Sequence, residues 1–221
     1  MKNVLIILAG GRGLRMKTKQ AKQFIRIDGK TILQHTLDLF LTHKPELEVV
    51  LALAESEHQF WLEETATWKF RAQITLAKGG KERFFSVKNA LNHINGPARV
   101  FIHDAVRPVL SEAFLGRIFE LESSIQAAIP IVPVVSSIRS KTSDGKTKAE
   151  DRSRFVEVQT PQVFDFELVK KAYSQTYNPC FTDDASVVEA LGFDVETFDG
   201  ESTNIKLTYA EDLERLKQRL S

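Results

Sequence analysis

Five cations crowd a glycine-rich stretch near the start of the chain. LAGGRGLRM at residues 8–16 runs into KTKQAKQF, placing Arg12, Arg15, Lys17, Lys19 and Lys22 close together in sequence. Gly10, Gly11 and Gly13 let the backbone turn tightly and present bare N–H groups. The stretch follows NVLII at 3–7, continuously apolar and rich in β-branched residues, as a strand buried on both faces would be. A glycine-rich turn after a first buried strand suits a phosphate, and cations over it would neutralise the charge. From the loop alone, a solvated basic turn stays open as the alternative. Met16 stands where the third glycine of G-x-G-x-x-G is required, so the loop is not a dinucleotide fingerprint, and it is not a Walker A loop. Three more polar segments, GGKERFFSV (79–87), HDAVRP (103–108) and NIKLT (204–208), follow apolar runs or precede a helix. Singly they read as a Gly-Gly turn, a strand end stopped by proline, and a helix cap. Together they sit where an open parallel sheet gathers its ligands, beyond the carboxyl ends of its strands.

The elements that must position these segments are visible as apolar runs. VLIILA (4–9), VVLALA (49–54), ITLA (74–77) and VFIHD (100–104) read as buried strands separated by helical stretches. This pattern predicts an α/β, Rossmann-like, mostly parallel twisted sheet with helices on both faces. The first helix begins at Thr31 with a T-x-x-Q capping box and carries Ile32, Leu33, Thr36, Leu37, Phe40 and Leu41 on one stripe. Further helices are predicted near 56–67, 85–94 and 165–176 and after TDDAS (182–186), with a strand near 193–198. A last helix follows a Thr208/Glu211 capping box. After AAIPIVPVV (127–135) the sequence turns polar and alternating, and Asp144-Gly145 favours a two-residue hairpin turn. A protruding β-arm is predicted near 136–158, on a single domain spanning 1–221.

Composition excludes several function classes. Lys plus Arg number 30 against 29 for Asp plus Glu, so no global positive field steers the chain to nucleic acid or acidic lipid. One cysteine, Cys180, precludes an internal disulfide, and the five histidines lack zinc-ligand spacing. No segment approaches the roughly 20 apolar residues of a membrane span, which points to a cytoplasmic protein.

AGGRGLRM with KQF, GGKERFFSV, HDAVRP, QTPQVF, TDDAS and NIKLT occur in an order and spacing that resembles the 2-C-methyl-D-erythritol 4-phosphate cytidylyltransferase family. Ribitol-5-phosphate cytidylyltransferases share several of these motifs, and the spaced Arg83 and Ser86 with TDDAS look more like the methylerythritol enzymes. The resemblance implies cytidylyl transfer from CTP to a sugar-alcohol phosphate with release of pyrophosphate. It also implies Mg²⁺ as cofactor and a homodimer clasped through the β-arm. Arg15, Lys22, Lys206 and Arg152 would be catalytic, the first pair at the α-phosphate and pyrophosphate, the second at the acceptor phosphate. Ala9, Gly10, Gly11, Gly13, Gly80, Arg83, Ser86, Asp104 and Ala105 would bind the nucleotide, and Asp104 would meet the ribose or the hydrated metal. Arg107, Ser136, Ser137, Thr160 and Thr182 would face the acceptor, with Arg107 either binding substrate or bracing its loop. Five positions depart from the family pattern: Ala21 for a proline, Gly10 for an alanine, Ser136 and Ser137 for Asp-Thr, and Lys81 for an acidic residue.

The implied chemistry suits the residue types. A phosphate monoester has a second pKa near ~6, so the attacking oxygen is already ionised near neutrality. No general base is required, and no Ser-His-Asp or Cys-His arrangement is evident. The obstacle is charge, so positioning and neutralisation must carry the reaction. A non-catalytic nucleotide sensor is the competing reading, yet such a protein would be expected to lose the loop cations first. A dinucleotide-dependent oxidoreductase is disfavoured by Met16 and the basic loop.

Overall fold

A computed structural model describes residues 1–10 and 21–220. At its centre lie four parallel strands, β1 (Lys2–Leu8), β4 (Glu48–Leu53), β5 (Ile74–Lys78) and β6 (Ala98–Asp104). A small hairpin, β2 (Arg26–Ile27) and β3 (Lys30–Thr31), precedes the first helix. Beyond β6 the sheet continues through β11 (Gln162–Asp165), antiparallel to its neighbours, to β7 (Ala127–Pro133). Strand β10 (Val156–Val158) shares with β11 one edge of β7, and β12 (Glu196–Asp199) runs parallel to β7.

The alternation of side chains explains both the apolar runs and the two-faced core. Val4, Ile6, Val50, Ala52, Val100 and Ile102 point to a face covered by α3 (Arg83–Leu91), α5 (Phe166–Ala172) and α6 (Asp184–Glu189). Leu5, Ile7, Val49, Leu51 and Phe101 point to the opposite face, under α1 (Ile32–His43), Trp61 of α2 (His58–Glu64), and α4 (Glu112–Phe119). With both faces buried, apolar and polar residues have no reason to alternate. Truncating a fully buried phenylalanine such as Phe101 would cost about 3–5 kcal/mol. Helix α1 starts as expected: Thr31 Oγ1 accepts from Gln34 N at 3.1 Å and Gln34 Oε1 accepts from Thr31 N at 2.9 Å. A third cluster, Ile27, Ile32, Val106, Leu207 and Leu216, docks the last helix, α7 (Ala210–Leu220).

Several local expectations are corrected. The helix expected over 56–67 opens as a 3₁₀ turn (Glu55–Glu57) and is helical only over His58–Glu64. The hairpin of β8 (Arg139–Lys141) and β9 (Thr147–Ala149) is extended by a Thr142–Lys146 backbone pair, which leaves a loop of three residues, 143–145, rather than two. Gly145 alone takes positive φ, at 81°, with Gly145 N donating to Thr142 O at 3.1 Å and Thr142 N to Lys146 O at 2.9 Å. This is a type I turn closed by a bulge, and Asp144 escapes the positive φ that a two-residue turn would force on it. Within 136–158, β10 pairs with β7 in the central sheet, and β8 and β9 form a separate two-stranded sheet. Before α7, Asp212 rather than Glu211 caps, accepting from Thr208 N at 2.8 Å and Tyr209 N at 2.7 Å. The helix begins at Ala210, one residue later than a Thr208 cap requires, which moves Asp212 to the position whose side chain reaches back.

Candidate active site

The four parallel strands end level with one another. Leu8 sits opposite both Ala52 and Asp104, and Leu53 opposite Lys78. Above them opens a cavity of about 810 Å³ whose lining includes Ala9, Gly10, Lys22, Gly80, Lys81, Arg83, Ser86, Asp104 and Lys206. The four segments singled out in the sequence therefore share one hollow.

Glycines shape its wall. Gly79 N donates to Leu53 O at 2.7 Å, bringing the backbone so close that a Cβ there would lie 3.1 Å from Ala54 N. At Gly80 a Cβ would fall 2.3 Å from Phe85 Cβ, so only glycine fits. Gly80 N donates to Ser86 Oγ at 2.9 Å, tying the loop to the first turn of α3. Across the hollow, Gln23 Nε2 donates to Ala9 O at 2.8 Å and to Glu57 Oε2 at 3.1 Å, fixing the segment that carries Lys22.

Charge converges on Asp104. Lys206 Nζ lies 2.8 Å and Arg107 Nε 3.3 Å from Asp104 Oδ2, and Arg83 Nε lies 4.0 Å from Oδ1. Burial alone would raise this carboxyl, but Lys206, Arg83 and Arg107 outweigh it and hold the group well below the usual carboxylate range. Arg107 also donates through Nη1 to Asn204 O at 2.8 Å, bracing the segment that bears Lys206. Lys22 Nζ donates to Leu207 O at 3.0 Å, joining that segment from the other side. Beneath Asp104, the Thr160 hydroxyl accepts from Asp104 N at 3.2 Å and contacts His103 Nδ1 at 3.0 Å. With its proton given to Nδ1, that hydroxyl leaves His103 Nε2–H to donate to Arg107 O at 3.1 Å. Burial pushes the imidazole down to about 4, so it is neutral near pH 7.

The remaining sequence candidates are placed differently. Ala105 is fully buried, its N–H bonded to Leu8 O at 3.1 Å and its carbonyl accepting from the Thr36 hydroxyl at 2.8 Å. Thr160 is buried with its hydroxyl engaged as described. Thr182 is exposed just before α6. Ser136, Ser137 and Arg152 are exposed on either side of the β8–β9 hairpin, where Arg152 Nη1 donates to Val135 O at 2.5 Å and Arg152 lines a separate cavity of about 500 Å³. Gly11, Gly13 and Arg15 lie outside the described residues. Gln23, Gln159, Asn204 and Asp184 each lie inside one of the sequence motifs but do not stand out in the sequence. Gln159 bridges to Glu201 through Gln159 Nε2 to Glu201 O at 2.8 Å, and Asn204 Nδ2 donates to Thr160 O at 2.8 Å. These amides hold the site's edges and present no charge, so residue type alone did not flag them.

Among the described residues, no group of three or more His, Cys, Asp or Glu side chains could hold a metal ion. Nor is any described helix long and apolar enough to cross a membrane.

The family description "2-C-methyl-D-erythritol 4-phosphate cytidylyltransferase" matches residues 3–220 of this chain. The chain belongs to that family. A member from Bacteroides thetaiotaomicron is 42% identical over 213 residues, covering 96% of this chain and 97% of the relative. The solved Francisella tularensis 2-C-methyl-D-erythritol 4-phosphate cytidylyltransferase superposes with a TM-score of 0.79 at 30% identity, covering 99% of this chain and 100% of that one. The bifunctional IspDF of Campylobacter jejuni superposes with a TM-score of 0.82 at 27% identity, covering 97% of this chain. This chain spans only 54% of that longer one. As a cytidylyltransferase-family member it is a nucleotidyltransferase, and the mostly parallel sheet with helices on both faces is the family's Rossmann-like fold.

Proposed function

We propose that this chain transfers the cytidylyl group of CTP to 2-C-methyl-D-erythritol 4-phosphate, giving 4-diphosphocytidyl-2-C-methyl-D-erythritol and pyrophosphate in the non-mevalonate isoprenoid pathway. The observation that carries the reading is the cavity at the strand ends, whose lining brings together Lys22, the Lys206–Asp104 pair and the Gly80–Ser86 wall. In the reaction an oxygen of the acceptor phosphate attacks the α-phosphorus in line and the bond to pyrophosphate breaks. No proton has to be removed from that dianion, so the site needs cations rather than a base. Lys22, with Arg15, takes the charge growing on the α-phosphate and leaving group. Lys206, now paired with Asp104, positions the acceptor phosphate. Gly80, Ser86 and the Ala9–Gly10 backbone read the cytosine edge, where uracil exchanges a donor for an acceptor.

The residues fit a magnesium ion that substrate phosphates and water would mainly hold, with the Asp104 carboxylate, kept ionised by Lys206, Arg83 and Arg107, lining the cavity beside it. When bound, such an ion neutralises phosphate charge and aligns the triphosphate. Dimerisation through the arm forms part of the same proposal. Val135, Val156, Phe155 and Val158 are 78%, 48%, 42% and 38% exposed, an apolar strip suited to a second copy. Pairing would carry Ser136, Ser137 and Arg152 of one subunit toward the acceptor end of the other. Incubating the chain with CTP, magnesium and methylerythritol phosphate tests the core of this reading. Stoichiometric pyrophosphate and a CDP-alcohol are expected, and their absence from folded protein would overturn it.

A further inference from the structure

Two buried groups behind the cavity wall have no place in the mechanism above, Asp184 and Tyr173. Asp184 is fully buried at the start of α6, and Arg83 Nη1 and Nη2 meet its two carboxylate oxygens at 2.5 and 2.6 Å. The Tyr173 hydroxyl donates a third hydrogen bond to Asp184 Oδ1 at 2.5 Å. We propose that Tyr173, acting through Asp184, is a positioning residue that fixes the Arg83 guanidinium for nucleotide binding, an inference that rests on the CTP reading above.

Geometry supports this in three steps. Both terminal nitrogens of Arg83 engage Asp184, so the guanidinium is gripped end-on and its Nε edge is turned toward Asp104, 4.0 Å away, at the cavity. Arginine's planar fork makes such a grip directional. A carboxylate held by one arginine can still swing about its own axis, and the tyrosine bond at Oδ1 removes that freedom. Tyr173 is itself immobilised, being 2% exposed with its ring 4.8 Å from that of Phe84. The Phe84 ring also lies 5.6 Å from Tyr177 and 5.8 Å from Phe181. Phe84 directly follows Arg83, so one turn of α3 carries both the guanidinium and the ring that seats its remote anchor.

The test is calorimetric CTP binding in a double-mutant cycle of Tyr173→Phe and Arg83→Lys, with Tm recorded for each protein. Tyr173→Phe keeps the ring, and Arg83→Lys keeps a cation for Asp184 while removing the fork. Tyr173→Phe alone should weaken CTP about fivefold, only part of what one buried hydrogen bond to a charged group is worth, since the bond is lost from the free and the bound protein alike. In the Arg83→Lys background the same change should weaken CTP by less than about twofold, since the tyrosine acts only through the fork. An equal loss in both backgrounds would overturn the proposal, as would a lowered Tm with unchanged CTP affinity. Should Arg83→Lys fail to fold, the single variant still decides: KM for CTP must rise while KM for the acceptor stays level, and equal rises refute it. Wild-type protein that binds no CTP overturns this inference and the function reading together. Wild-type binding without coupling overturns the inference alone.

Discussion

Replacing Gly80 by alanine should damage this site far more than the same change at Gly10, although both glycines line one cavity. A Cβ at residue 80 would stand 2.3 Å from Phe85 Cβ, 2.8 Å from Phe85 C and 2.9 Å from Ser86 N. Carbon atoms in comfortable contact lie about 3.5–4.0 Å apart, so the loop must retreat by more than about 1 Å. The obstacle is the backbone of α3, which cannot rotate aside. Overpacking of this kind costs about 1–3 kcal/mol. Retreat also breaks the 2.9 Å bond from Gly80 N to Ser86 Oγ, for about another 1 kcal/mol. For a domain of this size the sum corresponds to a fall in Tm of about 5–10 °C. Displacing the base-reading wall should also weaken CTP at least about tenfold, by calorimetry at a temperature where the variant is folded. At Gly10 the nearest atom among the described residues is Ser86 Oγ at 3.5 Å, an ordinary contact. Gly10→Ala should therefore stay within about 0.5 kcal/mol of wild type. Wild-type Tm and CTP affinity in Gly80→Ala, or equal damage at both positions, would refute the reasoning.

Lys22→Ala and Lys206→Ala should each lower kcat/KM at least about a hundredfold, roughly 2.7 kcal/mol of transition-state stabilisation, with circular dichroism unchanged. Lys22 should act mainly on kcat, and near-normal turnover without it would remove it from the mechanism. His103, held down at about 4 against an ordinary 6.5, makes stability depend on mild acid. The unfolded chain takes up the proton first, so this contribution is complete above about pH 6.5 and is lost as the pH falls toward about 4, by up to about 3 kcal/mol. Urea unfolding of His103→Gln across that window should give a flatter profile than wild type, and an identical slope would rule out the imidazole as the cause. Replacing residues 139–149 by a short Gly-Ser turn should give a folded monomer with much weaker acceptor binding and largely retained CTP binding. An unchanged dimer in sedimentation, or an unchanged acceptor KM, would reduce the arm to a lid.

The parts of the architecture that were readable before the structure are those with a local physical cause. Runs such as VLIILA announce themselves because both sheet faces are covered, and Thr31 with Gln34 completes its capping box within four consecutive residues. The turn at 143–145 is not decided by sequence, because Asp-Gly favours two different hairpin loops and strand register selects between them. At the site, cations and glycines were conspicuous by type. Asp184 was not, because its partner Arg83 lies 101 positions away. Its neighbour Asp183 supplies a plain helix cap, accepting from Ser186 N at 2.9 Å, and that local role accounts for the TDDAS motif without the buried pair. Arg107 could be read either way in sequence, and its bonds to Asp104 and Asn204 show a brace that no periodicity would reveal.

The central claim is cytidylyl transfer to methylerythritol phosphate, and the most direct measurement is pyrophosphate release from each of the four ribonucleoside triphosphates with methylerythritol phosphate or ribitol 5-phosphate as acceptor. The account predicts turnover with CTP and methylerythritol phosphate, and kcat/KM at least about a hundredfold lower for UTP because a buried polar group is left unpaired. Comparable rates with CTP and UTP would contradict the assignment of the base-reading wall, and a preference for ribitol 5-phosphate would contradict the acceptor.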